Sequence, residues 1–130
     1  MERIPVQEAR RNFSDIVQLV NNAKQRFLIQ EYKTDRVGVI PLEDLALLEG
    51  ICTDGKKTIR RLTTADVEQH LNGDLSFFSE STEWFVLHES GEDLAALVPH
   101  RDVQVLEGLD QRIDLEAAKR LLDAQVGEEQ

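Results

Sequence analysis

Four residues near the N-terminus carry the side-chain types that proteins use to bind DNA. Arg10, Arg11 and Asn12 are consecutive, and Arg3 precedes them. Arginine forms paired hydrogen bonds with guanine edges or with phosphates, and asparagine does so with adenine. These four residues are therefore candidates for DNA contact. The alternative is that Arg10 and Arg11 only solvate the polar face of a helix.

Other chemistries are poorly supported by the residues present. The three histidines, His70, His88 and His100, have neither the paired spacing of a metal site nor a nucleophile beside a base. There is no glycine-rich phosphate loop, and the single cysteine, Cys52, excludes an intrachain disulfide. We expect no enzymatic activity, no cofactor and no bound metal.

The chain repeats one pattern at a constant offset of 58 residues. "FLIQEYKTDRVGVIPLEDLALLEG" (27–50) aligns without a gap with "FVLHESGEDLAALVPHRDVQVLEG" (85–108). The identical pairs are Phe27/Phe85, Glu31/Glu89, Asp35/Asp93, Pro41/Pro99, Asp44/Asp102, Leu48/Leu106, Glu49/Glu107 and Gly50/Gly108. The apolar positions between them also repeat, which indicates a tandem duplication of a unit of about 58 residues.

The two units differ at the predicted DNA-binding positions. At the same offset, Glu68, Gln69 and His70 take the places of Arg10, Arg11 and Asn12. Of the four positions, only Arg3 has an arginine as its counterpart, Arg61. A carboxylate next to a phosphate is repelled. We therefore expect the second unit to have lost DNA contact.

Local patterns predict the elements of each unit. "RIPV" is extended, and an apolar stripe with helical spacing predicts a helix over residues 6–23. Two apolar runs around "KTD" predict a hairpin, and "LEDLALLEG" predicts a short helix that stops at Gly50. In the second unit, Thr63 or Thr64 is a candidate N-cap, Gly73 should shorten or break the first helix, and Trp84 should lie in the core.

The C-terminal segment is amphipathic. Its apolar residues fall on one helical face: Leu115, Ala118, Leu121, Leu122 and Val126. Such a helix can lie in a groove of a partner protein. The alternative is that it folds back onto its own domain.

Composition and charge restrict the class of protein. The chain has 130 residues, of which 41% are apolar and 31% charged, and no apolar run approaches the roughly 20 residues of a membrane helix. No apolar leader follows the first methionine, so we expect a cytoplasmic protein that does not bind membranes. Residues 1–61 contain 11 Lys and Arg against 9 Asp and Glu, whereas residues 62–130 contain 4 against 16. Only the first half is suited to approach phosphate.

The first unit resembles a known family. "IPVQEARRNFSDIVQLV" followed by "FLIQEY" and "VGVIPLEDLALLE" is similar to the prevent-host-death (Phd/YefM) antitoxins, over residues 2 to about 51. That family typically has a strand, the motif EAR-x-N-(L/F)-S, a helix, a hairpin and PLEDY. Here Leu45 replaces the tyrosine, and a second unit stands where the family recruits a second chain.

The resemblance implies both a fold and a function. We expect an α+β protein with two Phd/YefM-like units, 1–58 and 59–110, that form an intrachain pseudo-dimer around a shared antiparallel sheet, followed by a C-terminal helix and acidic tail, 111–130. The resemblance implies that operator DNA would bind the first unit through Arg3, Arg10, Arg11 and Asn12. The C-terminal helix would bind a cognate toxin, a small ribonuclease. Two chains could assemble to place two first units on DNA. The rival hypothesis is an interaction module that descends from an antitoxin, does not bind DNA and uses its acidic second half to bind a partner protein.

Overall fold

The computed structural model of the chain describes residues 2–51 and 58–110. The first half contains β1 (Glu2–Pro5), α1 (Val6–Ala23), β2 (Phe27–Glu31), β3 (Thr34–Ile40) and α2 (Leu42–Ile51). The second half contains β4 (Ile59–Thr63), α3 (Thr64–Asn72), α4 (Ser76–Ser79), β5 (Trp84–Glu89), β6 (Glu92–Pro99) and a helix, α5, described over residues 100–110. All six strands form one sheet in the order β1-β2-β3-β6-β5-β4. The predicted α+β class is confirmed.

The sheet is mixed, so the prediction of an antiparallel sheet was wrong. β1 pairs with β2 in parallel, and β4 pairs with β5 in parallel, while the other pairings are antiparallel. The parallel pairs arise because α1 and α3 act as crossover helices between the strands on either side of them. A pattern of apolar residues alone does not distinguish these two directions.

The strand register of the first half recurs in the second half at the offset of the sequence repeat. Arg3 pairs with Leu28 in the β1–β2 ladder, and Arg61 pairs with Val86 in the β4–β5 ladder. The β2–β3 ladder has an irregularity after Ile29, and the β5–β6 ladder has one after Leu87. Each of these positions in the first half lies 58 residues before its counterpart in the second half. The halves therefore repeat in strand register as well as in sequence.

β3 and β6 join the two halves at the centre of the sheet. Val39 pairs with Leu97, which is its own counterpart at the 58-residue offset, and Gly38–Val98 and Ile40–Ala96 lie on either side. A half-turn about the Val39–Leu97 pair exchanges these flanking pairs. An approximate two-fold axis therefore passes through the sheet at that point.

Both hairpins close with two-residue turns. Glu31 pairs with Thr34 across Tyr32 and Lys33, both of which have positive φ angles of 52° and 61°. Ser90 and Gly91 occupy the equivalent turn, with φ angles of 51° and 83°. Positive φ at both central residues matches the twist of the flanking strands. The hairpins are confirmed, but the first turn begins one residue earlier than the predicted "KTD".

The helices follow the sequence pattern with two exceptions. α1 has the predicted bounds, and its apolar stripe is buried. α3 is short and ends at Gly73 as expected, and Thr63 forms a capping box with Asp66. The short α4 that follows was not predicted. Gly50 lies inside α2 rather than after it, so its predicted role as the helix stop was wrong.

Helices cover both faces of the sheet and create two cores. The core of the first face combines α1 and α3 with strand residues that include Ile29, Val39, Leu87 and Leu97. The core of the opposite face combines α2 and α5 with others that include Leu28, Ile40, Val86 and Val98. Each core draws on both halves of the chain.

The helices of the second face are exchanged between the halves. Val103 of α5 packs over Gly38 of β3, and a Cβ atom added to Gly38 would lie 2.1 Å from the Cγ2 atom of Val103. Reciprocally, α2 of the first half packs against β6 of the second. Each half therefore buries part of the other, although the predicted unit boundary falls between residues 58 and 59.

The contact between Gly38 and Val103 provides a test of this exchange. We expect Gly38→Ala to lower the free energy of unfolding by about 1–3 kcal/mol, because the added methyl group forces α5 away from β3. Urea denaturation would measure the change. Combining it with Val103→Ala should cost less than the sum of the two single substitutions, since the smaller side chain admits the methyl group.

Gly50→Ala is the matched control for the glycine substitution. No atom lies within 4 Å of a Cβ atom added there, and the residue is in a helix. Alanine should therefore stabilise the protein by about 0.5–1 kcal/mol. Equal behaviour of the two alanine variants would contradict the close packing of α5 on β3.

Candidate nucleic-acid interface

Arg11 and Asn12 are exposed next to each other on α1. Asn12 has non-helical backbone angles, φ −119° and ψ 22°, so the helix is kinked there. The kink separates the first turns of α1, which carry the arginines, from the rest of the helix. These two side chains are free to approach a ligand from solvent.

Arg10 is partly buried and binds the neighbouring helix. Its Nε atom donates a hydrogen bond to the carbonyl oxygen of Leu71, in the last turn of α3. The carbonyl groups at a helix C-terminus have no partner in the helix, and the negative end of the helix dipole attracts a cation. Arg10 therefore joins α1 to α3, a role that the sequence did not reveal.

Arg3 lies on the other face of the sheet. Its strand partner Leu28 belongs to the core beneath α2 and α5, whereas Ile4 packs on the core beneath α1. The Arg3 Nε atom is 3.4 Å from Oδ1 of Asp35, with the arginine side chain 49% exposed. The four predicted residues thus do not form one cluster: Arg11 and Asn12 stay together, while the other two are engaged elsewhere.

The equivalent surface of the second half has different chemistry. Glu68 and Gln69 are exposed on α3, in the places of the two adjacent arginines of α1. The ring of His70 stacks on Phe77, with 3.7 Å between ring centroids. Arg61 repeats the strand arginine of the first half and binds Asp93 at 2.6 Å. Among the described residues of α3, Glu68 therefore presents a carboxylate to a phosphate at the position that Arg10 has in α1.

Two buried carboxylates occupy equivalent positions in α2 and α5. Asp44 accepts hydrogen bonds from Arg26, with Nε–Oδ2 and Nη2–Oδ1 distances of 2.7 and 2.9 Å. Asp102 accepts one from the indole nitrogen of Trp84 at 3.0 Å. Residues 26 and 84 are themselves 58 apart, so the same site has a charged donor in one half and a neutral donor in the other. The identity of the two aspartates was visible in the sequence repeat, but their partners were not.

Arg26 also connects the two halves. It forms a second ion pair with Asp110, at the end of the described part of α5. The hydrogen bonds with Asp44 raise the pKa of Arg26 above its usual value against the opposing effect of burial, and Asp110 raises that pKa further. These residues line a cleft of about 680 Å³ beside Lys24, which is paired with Glu43 at 3.1 Å. Every arginine and lysine of this cleft faces a carboxylate.

We expect Arg26→Gln to lower the free energy of unfolding by about 2–4 kcal/mol, because it leaves the buried Asp44 without a cation. Adding Asp44→Asn should recover part of the loss, since no unpaired charge then remains. Denaturant unfolding of both variants measures this. Lys24→Ala serves as the control; its exposed pair should contribute less than about 1 kcal/mol. A similar loss in the control would contradict a special role for the buried pair.

The predicted toxin-binding residues, Leu115, Ala118, Leu121, Leu122 and Val126, and the lone cysteine at position 52 lie outside the described residues. Within residues 2–51 and 58–110, no group of three or more His, Cys, Asp or Glu side chains is placed to hold a metal ion. No helix in the same residues has the length and apolar character needed to cross a bilayer.

No protein-family model matches the chain, and neither a curated protein nor a solved structure matches it. The resemblance to the Phd/YefM antitoxins therefore rests on the sequence motifs of the first half.

Proposed function

We propose that the protein is a Phd/YefM-type antitoxin in which one chain supplies both halves of the dimer core. The first half would bind operator DNA and repress the protein's own operon, and residues 111–130 would neutralise a partner toxin, a small ribonuclease. The two units would be 1–58 and 59–110, derived from a tandem duplication. The protein would act in the cytoplasm.

The repeated strand register is the observation that supports this proposal most strongly. Antitoxins of this family dimerise through a shared sheet, and such a dimer has a two-fold axis at its interface. Here the Val39–Leu97 pair lies on an approximate two-fold axis between halves that share one sheet. The exchanged helices α2 and α5 fit the same interpretation, because subunits of an intimate dimer commonly bury each other's elements.

The DNA-binding role would fall on a single surface per chain. Arg11 and Asn12 offer the side chains for it, and Gln69 takes the arginine's place in the second half. A palindromic operator needs two reading surfaces related by a two-fold axis. Two chains would therefore bind one operator, each through its first half.

The rival function is a protein-interaction module without DNA binding. Two observations favour it: Arg10 is used to bind Leu71, and the equivalent second surface carries Glu68. Both reduce the positive charge available to phosphate. Measurement of DNA binding separates the two proposals.

We expect the full-length protein to bind the DNA upstream of its own gene, with an affinity that falls steeply as salt is raised. Arg11→Ala should weaken binding by about 5- to 100-fold, and it should reduce the salt slope by about 1 if the side chain contacts phosphate. Gln69→Arg should change the affinity by less than about twofold, because in this proposal the second half does not contact the operator. Fluorescence anisotropy over a series of salt concentrations measures all three effects.

Arg60→Ala is the matched control for this experiment. Arg60 is an exposed arginine in the second half, on the edge strand β4. Arg60→Ala removes one positive charge, as Arg11→Ala does. It should leave the affinity for DNA within about twofold of the wild-type value. Absence of binding by the wild-type protein at low salt would overturn the operator-binding proposal and favour the interaction module.

The toxin-binding role predicts a change in protease sensitivity. Trypsin sites at Arg112, Lys119 and Arg120 lie in the C-terminal segment. We expect cleavage there to slow by at least about tenfold when the protein is bound to the product of the neighbouring gene, because a bound segment is inaccessible to protease. Mass spectrometry of the fragments identifies the sites. Equal cleavage rates in the free and bound protein would argue against this segment as the toxin-binding element.

A further inference from the structure

α2 and α5 expose apolar side chains on their outer faces. Leu47 and Ile51 are 45% and 41% exposed on α2, and Val105 is 40% exposed on α5. Leu47 and Val105 are equivalent at the 58-residue offset. In the same way, Ile51 of α2 corresponds to Leu109 of α5, which is half-buried. Residues four apart lie on one helical face, so each helix carries the same outward apolar stripe.

The two stripes lie side by side on one face of the sheet. α5 packs over β3 and α2 packs against β6, and these strands are neighbours at the centre of the sheet. The inward residues Leu48 and Leu106 share a single core. The outward residues therefore flank the approximate two-fold axis and form one surface, which we call the α2/α5 face: Leu47, Ile51, Val105 and Leu109.

Burial of the protein's own core does not explain these exposed residues. Leu45 and Leu48 already supply the inward face of α2. A surface helix is normally polar on its outer side, and a helix that is apolar all around is normally buried on all sides. A contiguous apolar patch on a protein surface is typical of an interaction site.

The charges around the face indicate the chemistry of its partner. Of the carboxylates in residues 42–51 and 100–110, Asp44 and Asp102 are buried, and Glu43 and Asp110 pair with Lys24 and Arg26, which leaves Glu49 and Glu107 to face a partner. The one lysine or arginine in these two ranges is Arg101. That arginine donates its hydrogen bonds to the carbonyl oxygens of Ser79 and Ser81. A partner that carries lysine or arginine beside its apolar residues would be complementary to this rim.

The same charges disfavour two other occupants. A second copy of the chain has a net charge of −10 and would bring an equally acidic face. Residues 111–130 of the chain contain five carboxylates against three lysines and arginines, so they are also acidic overall. Like charges brought together at an interface cost free energy.

We infer that the α2/α5 face is a docking surface for a basic amphipathic helix of a partner protein. The apolar side chains of that helix would cover Leu47, Ile51 and Val105, and its lysines or arginines would meet Glu49 and Glu107. This inference does not depend on DNA binding or on residues 111–130. The α2/α5 face lies on the opposite side of the sheet from Arg11, so it is separate from the candidate DNA-binding surface.

Three synthetic peptides test the inference with the full-length protein. The first is an amphipathic Leu/Lys helix of about 18 residues, long enough to form a helix on binding. The second has the same composition in a scrambled order without an apolar face, and the third replaces every lysine with glutamate. We expect only the first to bind, and its affinity should fall several-fold when salt is raised from low to high concentration.

Variants locate the binding surface. Leu47→Gln combined with Val105→Gln should weaken binding of the Leu/Lys peptide by at least about tenfold. Leu19→Gln is the matched control, because Leu19 is 42% exposed but lies on α1, across the sheet. It should leave the affinity within about twofold. Circular dichroism and unfolding midpoints, which should be the same as those of wild type, verify that the exposed substitutions leave the fold intact.

Several results would overturn the inference. Equal binding of the scrambled peptide would show attraction to charge alone, and equal binding of the glutamate peptide would show that the acidic rim has no part. Absence of peptide binding, or an equal loss in the Leu19 control, would remove the proposed surface. Sedimentation that shows self-association abolished by the Leu47 and Val105 substitutions would identify the occupant as a second copy of the chain instead.

Discussion

Pairing between β3 and β6 is the constraint from which the rest of the structure follows. The four paired positions of these strands place Val39 opposite Leu97 and bring the two halves into one sheet. On the face covered by α2 and α5, each helix packs against the central strand of the other half. Gly38 permits this for α5 because it has no side chain beneath Val103. The side chains that fill each core come from both halves, so neither half contains a complete core of its own. Folding should therefore be cooperative across the junction.

A shared framework has been given different chemistry in its two halves. Near the start of α1, Arg11 and Asn12 face solvent, whereas the corresponding part of α3 exposes Glu68 and uses its histidine for stacking. The framework conserves the strand register and the buried aspartates, which determine how helices sit on the sheet. The solvent-facing residues differ, and these determine which ligands each face can attract. The residues that position the helices are therefore separate from those that determine the charge of each exposed face.

Much of this fold could be predicted because the information is local. The helix of residues 6–23 follows from apolar spacing, and the capping role of Thr63 follows from its own side chain. Strand direction could not be predicted, because it depends on whether a helix crosses over the sheet.

The candidate site was harder to predict than the fold. Arg10 and Arg11 are neighbours of identical type, yet a carbonyl group 61 residues away holds the first and leaves the second free. Arg26 was overlooked for a similar reason, since Asp44 and Asp110 reach it only in the folded chain. A motif identifies residue types, but tertiary contacts decide which of them remain available.

Covalent linkage of the two halves has a consequence for how such a sheet can change. In an assembly of two identical chains, every substitution appears twice, and a change at the junction must suit both copies. Here a substitution alters one side only, so Arg26 can coexist with Trp84 at the equivalent position. The halves also meet at an effective concentration fixed by their connection, which makes the joined sheet independent of protein abundance. A protein built in this way can stay assembled when few copies are present and can diversify one face at a time.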